Sequence, residues 1–322
     1  MQLTAEILAL VAISASGLLV SCSGTKESKQ TSAAANPQTQ ANTQNASDVQ
    51  AQRKQAEQQA RPEVEKQRKE AEEETKKTLD QEAIAAIDQT QKAVDAIAAG
   101  KNDEALAAIE QATGKINVLL ARNPATALIP VDLDVEVIDT APHQTQAVLD
   151  LAKDVSRAVD VKDYPTARAL LFSLMSEIRV RTYNLPLATY PTVLKEAARL
   201  LDQKAANDAS SVLLTALNTL VVVDRVTPLP LVLAREAINQ AQSKSQQDRN
   251  GAQILLEVAK NEVVRARELG YTGKDQEYEA LNRQISDLEK QIKGHEDATA
   301  AFSKLKDKLS AFLKRQSSQK HG

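Results

Sequence analysis

Apolar positions change their spacing several times along the chain. Ile7 to Val20 is an apolar run, whereas residues 23–48 contain no Val, Ile, Leu, Met or aromatic residue. The second stretch has too little apolar surface to offset the entropy of ordering it. Residues 63–78 are dense in charge. Glu65–Lys69, Glu72–Lys76 and Glu73–Lys77 stand four apart, which supports a solvated helix with only Val64 as a larger aliphatic. Past Leu79 the apolar period is close to 3.6, through Ile84, Ile87, Val94 and Ile97. A polar turn, Gly100-Lys101-Asn102-Asp103, separates this helix from one carrying Leu106, Ile109, Ile116 and Leu120.

The helix–turn–helix unit recurs around residues 161–165, 203–208 and 247–251, and Ala105, Ala167, Ala209 and Ala252 hold the same place after each turn. The helix beginning at Ala167 is read onward through Leu170, Leu171, Leu174 and Ile178. Hairpins of this kind bury their faces only by stacking or bundling. Residues 129–138 depart from the pattern and alternate apolar with acidic, the signature of a half-buried strand. Its expected partner is residues 220–226, bounded by Pro228 and Pro230. Near the C-terminus, Tyr278, Leu281, Ile285, Leu288 and Ile292 form a short coiled-coil seam. Phe302, Leu305, Leu309, Phe312 and Leu313 form a second apolar stripe. The predicted fold is all-α: packed helical hairpins in a bundle or short solenoid-like array, a small two-stranded β element, and a C-terminal amphipathic helix or helical hairpin over 275–316.

Composition sharpens this reading. The 322 residues are 42% hydrophobic but only 2% aromatic, with nine Gly and no Trp, which disfavours a β sandwich or barrel. A net charge of -3 gives no general attraction to nucleic acid. One Cys and three His leave no disulfide framework and no soft-metal cluster. No GxGxxG, GxxxxGK, HExxH or GxSxG pattern occurs, so no enzyme activity and no cofactor are expected. His143 follows Pro142 at a helix start, where capping or solvent exposure is the expected role.

The only thiol has a context. Leu19-Val20-Ser21-Cys22 fits the bacterial lipobox, in which the Cys sulfur is acylated and becomes the new N-terminus. The fourteen-residue apolar run before it is shorter than a membrane span and suits a signal peptide. A buried structural Cys in an uncleaved anchor is the alternative. The expected order is then a lipoprotein signal peptide at 1–21, a disordered tether at 22–62 and a charged spacer helix at 63–78. Ser23, rather than Asp, after the Cys favours the outer membrane.

Two features invite a ligand. Asp132, Asp134 and Glu136 share one strand face and could attract Ca²⁺, although carboxylates so placed are usually only solvated. Lys304, Lys306, Lys308, Lys314 and Arg315 flank the last apolar stripe. They suit an anionic lipid surface or an acidic partner, or simply a hairpin packed on the preceding seam.

Tyr183-Asn184-Leu185-Pro186-Leu187, Leu194, Ala197, Leu200-Leu201-Asp202-Gln203-Lys204, Ala209, Leu213, Ala216 and Val222-Val223-Asp224 resemble the YfdX family of bacterial envelope proteins. The likeness spans roughly residues 79–240, within an expected helical domain at 79–270. The resemblance implies a mainly helical, homo-oligomeric, non-enzymatic protein that handles protein clients in stress tolerance, in a chaperone-like way. It transfers no catalytic residue. In this reading Tyr183 and Pro186 shape a connection between hairpins, with Pro186 ending a helix. The alternative function is a small-ligand or Ca²⁺-binding module built on strand 131–138.

Overall fold

The computed structural model describes residues 37–124, 127–272, 276–317 and 320–321. Of the first compact unit, residues 1–43, only the start of helix α1 (Pro37–Lys76) belongs to these; the second unit runs from Gln44. The lipobox and the apolar run before it lie outside the described residues.

The hairpin echo is a helix–helix–strand repeat. Helices α2 (Gln81–Ala98) and α3 (Asn102–Arg122) lead into β1 (Leu128–Asp139). Helices α4 (Thr145–Asp160) and α5 (Tyr164–Phe172) lead into β2 (Ser176–Pro186), and α6 (Tyr190–Asp202) and α7 (Ala206–Leu217) lead into β3 (Val221–Pro228). A further hairpin, α8 (Leu229–Lys244) and α9 (Arg249–Glu268), is followed by α10 (Gln276–Lys293) and α11 (Thr299–Ser317), then the two-residue β4 (Lys320–His321). The molecule is predominantly helical with a small antiparallel sheet, in the order β1-β2-β3-β4.

The first three turns share one backbone geometry. Gly100, Lys162 and Lys204 have φ of 74°, 62° and 63°. The following N–H of Lys101, Asp163 and Ala205 reaches back to the carbonyl of Ala96, Ala158 and Leu200 respectively. This is the left-handed C-terminal cap that satisfies a helix's last carbonyls. Five residues past each left-handed position lie Ala105, Ala167 and Ala209, and Ala252 opens α9 in the same way. All four are at most 4% exposed, so their missing side-chain bulk is what lets paired helices approach.

The sheet differs from the predicted pair. Residues 129–138 and 220–226 do not pair with each other; both pair with β2, which lies between them. Ile178 therefore belongs to a strand and not to the helix beginning at Ala167, and Pro186 ends that strand rather than a helix. The reason is the alternation of buried Ile178, Val180, Thr182 and Asn184 with half-buried Arg179, Arg181 and Tyr183. α5 stops at Phe172, and Leu174 lies in the connection to β2.

Two apolar cores form. Hairpins α2–α3 and α6–α7 pack face to face around Ile109, Ile116, Leu194 and Leu213, and Ile129, Val131, Leu185 and Leu187 extend this core from the sheet. The other core joins α8, α9, α10 and α11 around Leu231, Leu256, Ile285 and Phe302. Helix α1 also contributes: Ala56 joins the second core, and Ala60 packs with Leu229 and Leu233. The tether expected to reach residue 62 is thus helical from Pro37, and the spacer expected at 63–78 packs against its neighbours. Small residues make that contact, so it leaves no aliphatic stripe in the sequence.

Candidate interaction surface

Hairpin α4–α5 joins neither core. Along its length it packs mainly on itself, with α4 also touching α9. Of the helix residues, only Val148, Ala158 and Ala167 are buried. Its apolar residues consequently face solvent: Val161 is 75% exposed, Tyr164 59%, Phe172 52% and Leu171 50%, with Val159 beside them. They run from the tip (Val159, Val161, Tyr164) back to the root (Leu171, Phe172), and exposed aliphatic and aromatic residues lining a folded element mark a surface for another molecule.

The root of this hairpin is clamped by charge. Arg265 of α9 is fully buried and donates from Nε to the Pro142 carbonyl at 3.0 Å, and from Nη2 to the Ala141 carbonyl at 3.0 Å and Asp139 at 3.2 Å. Its Nη1 donates to Glu262 at 3.2 Å. The other Glu262 oxygen accepts from Arg53 of α1 at 2.5 Å. Arg53 also donates to the His143 carbonyl at 2.8 Å and to Glu57 at 2.9 Å. The β1–α4 connection is therefore held by two guanidinium groups from different helices. Burial pushes the Glu262 carboxyl above its ordinary range, and both arginines pull against that shift.

The polar chain continues on the far side. Ser176 donates to Asp139 at 2.7 Å, and Tyr271 donates to Glu177 at 2.8 Å while accepting from the Ser176 N–H at 2.9 Å. Burial first, then the Glu177 charge, raises the Tyr271 phenol. Glu177 in turn holds Arg179. Thr140 donates to the Phe172 carbonyl, so both strand–hairpin junctions are fixed while the tip projects.

The candidate residues from the sequence fall in several places. Asp132, Asp134 and Glu136 line one face of β1, where Glu136 lies 3.5 Å from Arg179. Among the described residues, no three His, Cys, Asp or Glu side chains converge as a metal site. Tyr183 is half-buried against the first core, and Asp224 takes a two-pronged contact from Arg181 at 3.0 and 3.0 Å. Leu187, Leu201 and Ala209 are core residues, Asp202 ends α6 in solvent, and Pro186 pairs with Leu128. His143 sits half-exposed against Arg53. In α11 the stripe Phe302, Leu305, Leu309, Phe312 and Leu313 is at most 5% exposed, turned into the protein and not outward. Lys306 donates to Gln242 at 2.8 Å and Arg315 to Glu277 at 2.8 Å, while Lys314 borders a cleft of about 430 Å³ between α1, the sheet and α11. Lys304 is exposed, and Lys308 is half-buried at the margin of the stripe. Arg53, Glu262 and Arg265 carry no distinguishing signal in the sequence, where scattered charges read as surface. Among the described residues, no helix is long and apolar enough to cross a membrane.

Residues 86–226 match the family model described as YfdX protein. No curated protein matches the chain. A solved structure of YfdX from Salmonella Typhi is 16% identical, covering 47% of this chain and 93% of that one, with a TM-score of 0.32.

Proposed function

We propose, from the premise that residues 86–226 are a YfdX region, that this chain is a lipid-anchored, non-enzymatic protein-interaction factor of the bacterial envelope, chaperone-like in stress tolerance. The observation that carries this reading is the α4–α5 hairpin, with Val161, Tyr164, Leu171 and Phe172 exposed on a clamped root. A clamped hairpin with apolar residues exposed from tip to root suits transient capture of unfolded segments, because the surface is already ordered and little entropy is lost on binding. Acylation at Cys22 would hold the protein at the outer membrane, facing the periplasm. Homo-oligomers fit the same reading, since several tips together raise the effective concentration of binding sites.

The test uses the full chain and a thermally stressed client protein. Suppression of client aggregation near stoichiometric ratio is expected, and its loss in a Val161→Ser, Phe172→Ser double variant of unchanged circular dichroism. No suppression by the parent chain overturns the reading. Mass spectrometry of the membrane-extracted protein tests the anchor separately: a free sulfur at Cys22 overturns that part alone.

A further inference from the structure

Strand β1 is the outer strand of its sheet: β2 covers one edge, and α2 is the helix packed closely along it. Among the described residues the edge is protected at one end only. Pro130 supplies no N–H there, its carbonyl accepts from Asp80 N–H at 3.1 Å, and the ladder slips between Pro130 and Asp132. Beyond the slip, the Leu133 N–H is taken by the Asp132 carboxylate at 2.8 Å instead of by β2. Strand alternation places the N–H and C=O of Val135 and Val137 on the same open edge.

The two faces of this edge differ in chemistry. Leu133 and Val135 are half-buried and Val137 is 40% exposed, so an apolar row lies only partly covered on one face. Asp132, Asp134 and Glu136 make an acidic row on the other. The neighbouring arginines offset that row only in part: Arg179 lies 3.5 Å from Glu136 but also holds Glu177 at 2.5 Å. Arg181, across from Asp134, turns Nε and Nη2 to Asp224, and Asp134 receives no ion pair among the described residues. A second copy of β1 set antiparallel on this edge would bring the two acidic rows side by side, which is repulsive.

We infer that the open edge of β1, from Leu133 to Val137, binds an extended polypeptide segment that alternates Lys or Arg with aliphatic residues, added as a further strand. Its backbone pairs with Val135 and Val137, its aliphatic side chains continue the apolar row, and its cations meet the acidic row. This surface is separate from the α4–α5 tip, so the two readings stand or fall independently.

The probe is a short capped peptide alternating lysine with valine, titrated against the full chain and followed by fluorescence anisotropy. Saturable binding that weakens with added salt is expected. A peptide of the same composition with lysines and valines in blocks should bind about tenfold weaker or less. Methylating alternate backbone nitrogens of the peptide should abolish binding without touching the protein. Val135→Pro removes an outward-facing donor on an edge strand, where proline is tolerated, and should weaken binding about tenfold. Asp134→Lys with Glu136→Lys should turn the preference toward a glutamate–valine peptide. Absence of saturable binding overturns the inference, as does equal affinity for the blocked or methylated peptides. β1–β1 dimers forming at raised concentration would show that the edge serves a second copy instead.

Discussion

Glu262 and Arg265 lie one turn apart on α9 and hold each other at 3.2 Å with both side chains only 1% exposed. Buried charges persist only when paired and fully hydrogen-bonded, and here Arg53, Asp139 and the Ala141 and Pro142 carbonyls complete the set. Arg265→Met leaves those acceptors unsatisfied and should lower unfolding free energy by about 3–5 kcal/mol, read by urea denaturation. Because burial raises the Glu262 carboxyl, the native state holds its proton more tightly than the unfolded chain. The group therefore costs stability as pH rises from 4.5 through the native value. Loss of Arg265 removes one opposing cation, so the variant should lose stability more steeply than the parent over the same rise in pH.

Tyr190 donates to Thr90 at 2.9 Å inside the first core, and burial pushes its phenol up to about 12 from 10.0. The unfolded chain releases that proton first, so alkali between these values favours unfolding. Tyr190→Phe should cost about 1 kcal/mol near neutrality. It should also flatten the alkaline decline seen in thermal melts of the parent.

Ala209 is 0% exposed where α7 meets its neighbours. Ala209→Leu should destabilise by about 1–3 kcal/mol through overpacking, measured by chemical denaturation. The same change at Ala98, outside the cores, serves as the comparison and should have little effect.

Ala60 is 1% exposed against Leu229 and Leu233, and Glu63 of the same helix meets Arg235 at 2.7 Å. Ala60→Asp should lower stability by about 2 kcal/mol or more, while Ala51→Asp, on the exposed side of α1, should leave the melt unchanged. Equal melts for the two variants would mean that α1 contributes nothing to the fold.

The hairpins were legible because a 3.6 period, polar turns and a recurring Ala all carried the same message. β2 was not, since Leu174 and Ile178 continue the helical spacing from Ala167 and hide the alternation that follows. The packing of α1 was equally hidden, because Ala56 and Ala60 bury a face without marking one. The ionic clamp joins positions as far apart as Arg53, Asp139 and Arg265, and only the fold brings them together. The exposed α4–α5 tip depends on which hairpins pair with which. Its local sequence pattern is much like that of its buried neighbours.

Three matching bends use Gly100, Lys162 and Lys204 at one left-handed position. Glycine sits there freely, but each lysine is held against its preference at about 1–2 kcal/mol. The chain thus carries an ammonium group at two loop crests where the backbone alone would select none. Electrical character at the outer rim of the repeat is accordingly written into its most strained residues, and a change of side chain there alters surface potential and local tension together.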